Sequence, residues 1–455
     1  MGIYKFKTIM NWKSFVLAFA IIGIAACADA PENWKAKAAD AQWTHQTMKR
    51  ITDVIVHDIF SPPVASRIYA YVSVAGYEAL RPDYPEYQTL AGQLNGLDPL
   101  PAPQDGAEYC FPLASAHASL LVGKTLIFSE DSIVVFQEKT LAAFRELGIP
   151  DDVYQRSLDY GKAVAEHILD WSGKDKYKES RSYPKYDVTD DPSRWRPTPP
   201  DYMDGIEPAW NNIRPFLLDS SNQFIPLPPT DFDPKKGSKF YQEALEVYEA
   251  MNADDKEERL TIAKFWDCNP YVSTHSGHVM FATKKITPGG HWIGITQLAC
   301  QKANADMMKS AEAYVRVSIS LIDGFISCWD EKYRSNLLRP ETYINVYIDP
   351  SWRPTLQTPP FPEHTSGHSV ISNAAATALT GLFGEPFPFE DTVEEEYGFP
   401  RRSFNSFFEA AEEAAVSRLY GGIHYRPAID YGVEQGRKVG QWVLENLKTQ
   451  EKNRE

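Results

Sequence analysis

The sequence predicts an all-α protein built from helical bundles, and three observations support this. Apolar residues recur at helical spacing in one segment after another, as in Tyr160, Val164, Ile168 and Trp171. The strict alternation of apolar and polar residues that marks strands is nearly absent. The chain has 455 residues, 43% of them hydrophobic and 24% charged, which is enough to bury a large core.

Each predicted helix is bounded by a residue type that starts or stops helices. The acids Glu130 and Asp131 precede one helix, and Gly148 and Pro150 follow it. The predicted helices are residues 36–60, 64–80, 107–121, 132–147, 151–171, 239–251, 256–265, 296–333, 370–382, 404–420 and 429–447.

Residues 174–235 differ from the rest of the chain because they are rich in proline and lack helical periodicity. Their aromatic residues predict a packed covering rather than a free linker; these are Tyr183, Trp195, Tyr202, Trp210 and Phe216. The segment suggests a division into a leader (1–26), an N-terminal helical layer with this covering loop (27–235) and a C-terminal bundle (236–455).

The net charge excludes some classes of partner. It is −15 for the whole chain, and −18 without residues 1–26, which contain three lysines and no acids. Nucleic acids and anionic membrane surfaces need a basic patch, so neither is an expected partner. Any anion site must be built locally from clustered lysine and arginine.

The N-terminus resembles a bacterial lipoprotein signal. Lys5, Lys7 and Lys13 precede the apolar residues 15–26, and Ile24-Ala-Ala-Cys27 follows the lipobox pattern. We therefore expect an exported protein that is lipid-anchored at Cys27, with an ordinary secretory signal as the alternative. No later stretch reaches the ~20 apolar residues that a spanning helix needs.

Four further cysteines remain, and the sequence does not choose among their three possible pairings. They lack the spacing of a typical zinc motif, so no zinc site is expected. These residues are Cys110, Cys268, Cys300 and Cys328.

The most informative stretch is 361–369, Phe-Pro-Glu-His-Thr-Ser-Gly-His-Ser, directly before a predicted helix. Unpaired backbone N–H groups and the helix dipole favour an anion at such a start, and glycine allows its close approach. A second Ser-Gly-His at 276–278, and His291 after Gly289-Gly290, lack arginine at useful spacing and are interpreted as structural.

Two other segments complete the pattern. Lys332 and Arg339 lie seven residues apart, so they share one face if the helix continues that far. In Ser417-Arg418-Leu-Tyr-Gly-Gly-Ile-His424, the glycine pair breaks a helix and lets Arg418 and His424 converge. Three cations, the Ser366 hydroxyl and the Gly367 amide suit a tetrahedral oxyanion, and His368 and His424 supply two further roles.

The ordered motifs K-x₆-R-P, S-G-H and S-R-x₅-H resemble the superfamily that joins vanadium-dependent haloperoxidases to phosphatidic-acid-phosphatase-like acid phosphatases. The resemblance covers the last quarter to third of the chain and implies the helical-bundle fold of that superfamily. It also implies one vanadate per chain and no haem.

The resemblance also implies residue roles. Oxygen atoms of vanadate would be held by Lys332, Arg339, Ser366, Gly367, His368 and Arg418. His424 would be the axial ligand to vanadium, and His368 the acid–base group. This chain departs from the pattern at Thr365, where proline is usual, and at Ala428, where an Asp is usual. The nearest following acid is Asp430, so the group that orients His424 is left open.

The sequence favours a haloperoxidase that uses hydrogen peroxide to oxidise halide, most similar to the bacterial iodoperoxidases, with bromide as a second substrate. The reasons are the long helical N-terminal portion and the aromatic residues near the motifs. The candidates for the halide pocket are Tyr271, Trp329, Asp330, Phe361 and His364. The alternatives are a periplasmic acid phosphatase with a phosphohistidine intermediate, and a non-catalytic oxyanion-binding lipoprotein.

Overall fold

The computed structural model of the protein describes residues 33–251, 253–276, 279–282 and 284–450. The proposed signal, Cys27 and the Gly277-His278 pair lie outside these residues. Fifteen α-helices are described in this part of the chain: α1 Asn33–Ala38, α2 Gln42–His57, α3 Pro62–Leu80, α4 Phe111–Leu126, α5 Glu130–Glu146, α6 Asp151–Ser172, α7 Tyr177–Ser180, α8 Lys239–Ala250, α9 Lys256–Phe265, α10 Pro288–Lys302, α11 Met307–Ser335, α12 Pro340–Tyr347, α13 Gly367–Phe383, α14 Phe407–Tyr420 and α15 Arg426–Asn446.

The all-α prediction is confirmed, with two small hairpins added. Strands β1 (Ser273–Ser276) and β2 (Val279–Ala282) pair antiparallel, as do β3 (Phe389–Asp391) and β4 (Arg402–Phe404). Strands of three or four residues are too short to show an alternating pattern in the sequence. No helix in the described part of the chain is both long and apolar enough to cross a bilayer.

Two predicted helices are each divided in two. Residues 36–60 form α1 and α2, and residues 296–333 fall in α10 and α11. The second break lies at Asn304, which has φ +50°, and at Asp306, whose side chain accepts a hydrogen bond from the Lys309 N–H and caps α11. Apolar periodicity continues across both breaks, so it did not reveal them.

The core is formed where the N-terminal and C-terminal helices meet. Helix α3 is buried along its whole length between α4 and α11, and α11 also packs on α13, which packs on α15. One hydrophobic cluster extends from Met48 to Leu447 and includes residues from both halves. The two predicted layers therefore share a single core, and the boundary at 235/236 stays a prediction.

The proline-rich segment 174–235 packs on α11 as a covering. The Asp323 carboxylate accepts hydrogen bonds from the backbone N–H groups of residues 216, 217 and 218, at 2.7, 2.8 and 3.0 Å. Trp195, Trp210 and Phe216 are fully buried, whereas Tyr183 and Tyr202 are exposed. The covering is therefore attached to the helix that carries Lys332.

Candidate functional site

The three predicted motifs meet at one buried site, at the ends of five helices, α11 to α15. Lys332 lies in the last turn of α11, Ser366 caps α13 at its N-terminus, Arg418 lies in the last turn of α14, and His424 precedes α15. The side chains of Lys332, Arg339, Ser366, Arg418 and His424 are almost inaccessible to solvent. Burying so many polar groups requires partners within the protein or a bound ligand.

Lys332 and Arg339 reach the site from two helices, so the condition for a shared helical face, one helix that continues to Arg339, is not met. Helix α11 ends at Ser335, Asn336 adopts the left-handed conformation, and Arg339 is the N-cap residue of α12. The turn between the helices brings both cations to one stretch of backbone, where Arg339 donates to the Phe361 carbonyl and Lys332 to those of Pro362 and Glu363. The seven-residue spacing is therefore a property of this turn and not of one continuous helix.

Lys332 is held by the stretch that precedes α13. Its ammonium donates hydrogen bonds to the carbonyls of Pro362 and Glu363, both at 3.0 Å, and to that of Thr365. Burial lowers the pKa of Lys332 to about 7. An anion bound beside it would favour the charged form and raise that pKa again.

Arg339 has one nitrogen that the protein does not satisfy. Its Nε donates to the carbonyl of Phe361 at 2.9 Å, and its Nη1 donates to the carbonyl of Ile423 at 2.9 Å and to Nε2 of His424 at 3.1 Å. Its Nη2 is buried and makes no hydrogen bond. An unsatisfied buried guanidinium N–H is costly and fits a bidentate oxyanion.

Arg418 and His424 converge because the chain turns sharply after α14. Gly422 has φ +79°, and a Cβ there would approach Pro354 and Trp352 to within 3.1–3.2 Å, so glycine is required. Arg418 donates from Nη2 to the carbonyl of Trp266 at 2.9 Å and from Nε to the Ser417 hydroxyl at 3.1 Å. The predicted role of the glycine pair is confirmed.

The N-terminus of α13 has the geometry expected of an anion site. Ser366 is the N-cap residue and accepts a hydrogen bond from the Ser369 N–H at 3.3 Å, which leaves its own hydroxyl proton available. Thr365, which stands where the family pattern has proline, does not cap this helix. Its hydroxyl donates to the Gln435 side chain at 2.7 Å, and its carbonyl holds Lys332.

The residue that orients His424 is Glu363, which the sequence reasoning missed. Nδ1 of His424 donates to Oε1 of Glu363 at 2.8 Å, and the same oxygen accepts the Tyr425 N–H at 2.9 Å. Nε2 of His424 is therefore the unprotonated nitrogen, and its lone pair accepts the hydrogen bond from Arg339 Nη1 at 3.1 Å. The available signal was that Glu363 is the one acid in residues 361–369.

Both histidines are held in the neutral form. Burial, and then the positive charge of Arg339, lowers the pKa of His424 well below its usual value. Burial and Arg418 do the same for His368, whose Nε2 is buried without a hydrogen-bond partner. Neutral imidazoles provide one nitrogen that can bind a metal centre and one that can accept a proton.

Of the five halide-pocket candidates, three line the cavity and two do not. Tyr271, Trp329 and Phe361 line it together with Gly367, His368, Arg418 and His424. The Lys332 ammonium lies 5.1 Å from the Phe361 ring centroid and 5.7 Å from that of Trp329, which confirms that Trp329 shares its helical face.

Asp330 and His364 lie against the covering segment instead. The Asp330 carboxylate accepts hydrogen bonds from Arg334 at 3.2 Å and from Asn211 at 3.3 Å. Nε2 of His364 donates to the carbonyl of Leu227 at 3.0 Å. Their proximity in sequence to Trp329 and Ser366 therefore does not place them in the pocket.

These observations fit vanadate. Three cationic side chains, a hydroxyl and a helix N-terminus are buried together, and Arg339 Nη2 and the cavity-lining His368 have buried polar atoms without a hydrogen-bond partner. Nε2 of His424 supplies a neutral ligand atom whose orientation Glu363 fixes. The donor set matches a tetrahedral oxyanion with an axial imidazole.

Comparisons with known proteins agree with this geometry. The family described as the VCPO second helical-bundle domain matches residues 312–452, which include all three motifs. The chain is similar to a bacterial vanadium-dependent iodoperoxidase of known crystal structure, with 49% identity, a TM-score of 0.87, and coverage of 91% of this chain and 99% of that one.

Two more distant structures share the fold. Holo and apo forms of a bacterial vanadium-dependent chloroperoxidase align with TM-scores of 0.64 and 0.63 at 16% identity, over 86% and 85% of this chain. No curated protein matches the sequence.

At 49% identity over nearly the whole chain, the similarity to the iodoperoxidase supports the haloperoxidase prediction over the acid phosphatase and the non-catalytic binding protein. The chain therefore belongs to the vanadium-dependent haloperoxidase family and is an enzyme with a vanadate cofactor.

Proposed function

We propose that this haloperoxidase prefers iodide, and that hydrogen peroxide is its oxidant. The observation that carries the proposal is the cavity wall beside the unsatisfied Nε2 of His368, which includes the rings of Tyr271, Trp329 and Phe361. Iodide is large, polarisable and weakly hydrated, so it loses little hydration free energy when it moves from water to a cavity with such a wall. The similarity to a vanadium-dependent iodoperoxidase supports the same preference.

The chain's own residues divide the work of binding. Arg339, Arg418, Lys332, the Ser366 hydroxyl and the Gly367 N–H would hold the oxygen atoms of vanadate, and Nε2 of His424 would bind vanadium. When bound, vanadate supplies a Lewis-acid centre that activates peroxide, and the oxidation state of vanadium does not change. Because Glu363 fixes the His424 ring, the ligand nitrogen is already aimed before the cofactor enters.

His368 moves the proton. Its Nε2 faces the cavity without a partner, and its low pKa keeps that nitrogen unprotonated and able to accept a proton from incoming hydrogen peroxide. Lys332, fixed by carbonyls of the 362–365 backbone, would place a positive charge beside the oxygen atoms of the bound oxyanion. The apolar wall excludes water and so protects the oxidised halogen species until it leaves.

One assay tests the halide preference. Purified protein is supplied with orthovanadate and hydrogen peroxide, and initial rates are compared for iodide, bromide and chloride, with a phosphate ester in parallel. We expect vanadate-dependent oxidation of iodide at the highest kcat/KM and slower oxidation of bromide. Equal or faster bromide oxidation would contradict the iodide preference.

We also propose that the protein is exported and lipid-anchored at Cys27. Support comes from the basic residues, the apolar run 15–26 and the lipobox-like Ile24–Cys27 sequence. In a bacterial host, wild-type protein should incorporate labelled palmitate and fractionate with membranes, and Cys27→Ser should do neither. Equal labelling of the two proteins would overturn the anchor.

A further inference from the structure

A second cluster of buried ionisable side chains lies beside the vanadate cavity and takes no part in the proposed reaction. It contains Cys268, which follows α9 and lines the cavity, and His291, in the first turn of α10. Asp391 at the end of β3 and Glu394 just after it complete the cluster. All four residues are buried.

Three ligand atoms in this cluster are spaced like the corners of a metal site. Sγ of Cys268 lies 3.5 Å from Nδ1 of His291 and 3.7 Å from Oε1 of Glu394, and the last two atoms are 3.1 Å apart. A tetrahedral zinc ion with the usual bond lengths holds its sulfur, nitrogen and oxygen ligands about 3.3–3.6 Å apart. Among the described residues, this is the one group of three or more His, Cys and acidic side chains whose ligand atoms all lie within 4.8 Å of one another.

The histidine is oriented for metal binding by a fourth residue. Nε2 of His291 donates to Oδ2 of Asp391 at 2.7 Å, and the Trp266 ring stacks on the imidazole at 4.6 Å and 19°. Asp391 is itself fixed, because its Oδ1 accepts the Val393 N–H at 3.0 Å. A carboxylate on the far nitrogen of a histidine is the usual outer partner of a zinc ligand, and it directs Nδ1 toward Cys268 and Glu394.

We propose that Cys268, His291 and Glu394 bind a divalent cation of the zinc type. The thiolate, imidazole and carboxylate set favours zinc over the oxygen-binding ions magnesium and calcium. On binding, the cation replaces the proton on the Cys268 thiol and the proton between His291 and Glu394. The total charge of the buried cluster is therefore unchanged, and no further counter-ion is needed.

Three protein ligands leave the fourth position of a tetrahedral site to a small ligand such as water, which can enter because Cys268 lines the cavity. The cation would fix residues 265–269, whose Trp266 carbonyl accepts the hydrogen bond of Arg418. It would thereby stabilise one wall of the vanadate site without contacting vanadate.

The sequence had argued against zinc because no cysteine has motif spacing. Motif spacing concerns ligands close together in the chain, whereas His291 and Glu394 lie 23 and 126 residues from Cys268. The cation site shares no ligand with the vanadate site, so either proposal can fail alone.

Cobalt titration tests the site directly. Full-length protein is stripped with a chelator and titrated with Co²⁺, which gives a thiolate-to-cobalt charge-transfer band and strong visible bands when tetrahedral. We expect one Co²⁺ per chain, displaced by Zn²⁺. Cys268→Ala should lose the charge-transfer band, and Glu394→Gln should bind about 10-fold or more weakly. Cys300→Ala, which removes another buried thiol on α10, should bind like the wild type.

The same titration in a His424→Ala background separates this site from the vanadate histidines, and the charge-transfer band should persist there. Absence of the band in wild-type protein would show that the cluster holds only protons, and its persistence in Cys268→Ala would show that another thiol binds the cobalt; either result would overturn the proposal. If circular dichroism shows that Cys268→Ala does not fold, Glu394→Gln decides, because it preserves side-chain size. Wild-type affinity for Co²⁺ in Glu394→Gln would then overturn the proposal.

Discussion

Two fully buried histidines in this enzyme each pair with a carboxylate, yet their surroundings give them opposite charge. His424 donates to Glu363 but lies among Arg339, Lys332 and Arg418; burial and these cations keep its pKa well below the usual value. Burial also opposes charge on His291, but Asp391, together with hydrogen bonds to Cys268 and Glu394, raises its pKa well above the usual value.

The comparison shows that the surrounding charge, and not the histidine–carboxylate pair itself, decides which ligand a site can hold. Excess positive charge around His424 suits an oxyanion, and excess negative charge around His291 suits a cation. Both sites lie at one cavity wall, since Cys268 and His424 both line it. Four predictions can break or sharpen this contrast.

The largest effect is expected from removing the ligand nitrogen. His424→Ala should abolish both vanadate binding and halide oxidation, because no other neutral imidazole nitrogen in the site is oriented by a carboxylate. Vanadate binding by calorimetry and initial rates of iodide oxidation measure this. His57→Ala, which removes an exposed histidine, is the control and should keep its activity. Retention of activity in His424→Ala would contradict the assignment of His424 as the vanadium ligand.

A smaller loss is expected when the orienting carboxylate is neutralised. Glu363→Gln preserves an acceptor for His424 Nδ1 but removes the charge, and should weaken vanadate binding about 10–100-fold. Glu394→Gln, the corresponding change in the other cluster, should weaken it less because Glu394 does not contact a vanadate ligand. Equal losses in the two variants would mean that the clusters are not separate sites.

The protonation states should differ in protein free of both vanadate and metal. The pKa of His424 is lower in the folded protein than in the unfolded chain, so the unfolded chain takes up the proton first as the pH falls below 6.5. The stability that the neutral, buried His424 contributes is therefore lost on acidification. For His291 the folded state retains the proton, so its contribution is present below pH 6.5 and is lost as the pH rises through the folded pKa. At pH 7, ¹⁵N-histidine NMR should show one protonated nitrogen in His424 and two in His291. The same charge state in both rings would contradict the comparison.

The smallest effects concern the halide. Phe361→Ala changes the cavity wall and should alter the ratio of iodide to bromide kcat/KM severalfold. His364→Ala removes a side chain directed at Leu227 and should change this ratio less. Rates for both halides are compared with those of the parent enzyme. A larger shift in the His364 variant would mean that the covering segment, and not the aromatic wall, sets halide choice.

From the sequence we predicted the helical class, which the structure confirms, and seven residues that would hold vanadate. Helical periodicity is local, and the three motifs have fixed internal spacing, so both are visible in one dimension. The sequence also located the glycine turn that joins Arg418 to His424.

Tertiary structure alone decided which distant residues meet. Lys332 and Arg339 belong to two helices, and His424 is hydrogen-bonded to Glu363 and not to an acid that follows it. His364 and Asp330 bind the covering segment outside the cavity. The tertiary structure left all four described cysteines unpaired and brought Cys268 to His291 and Glu394. Each of these outcomes depends on contacts between elements far apart in the chain, and no local pattern of residues encodes such contacts.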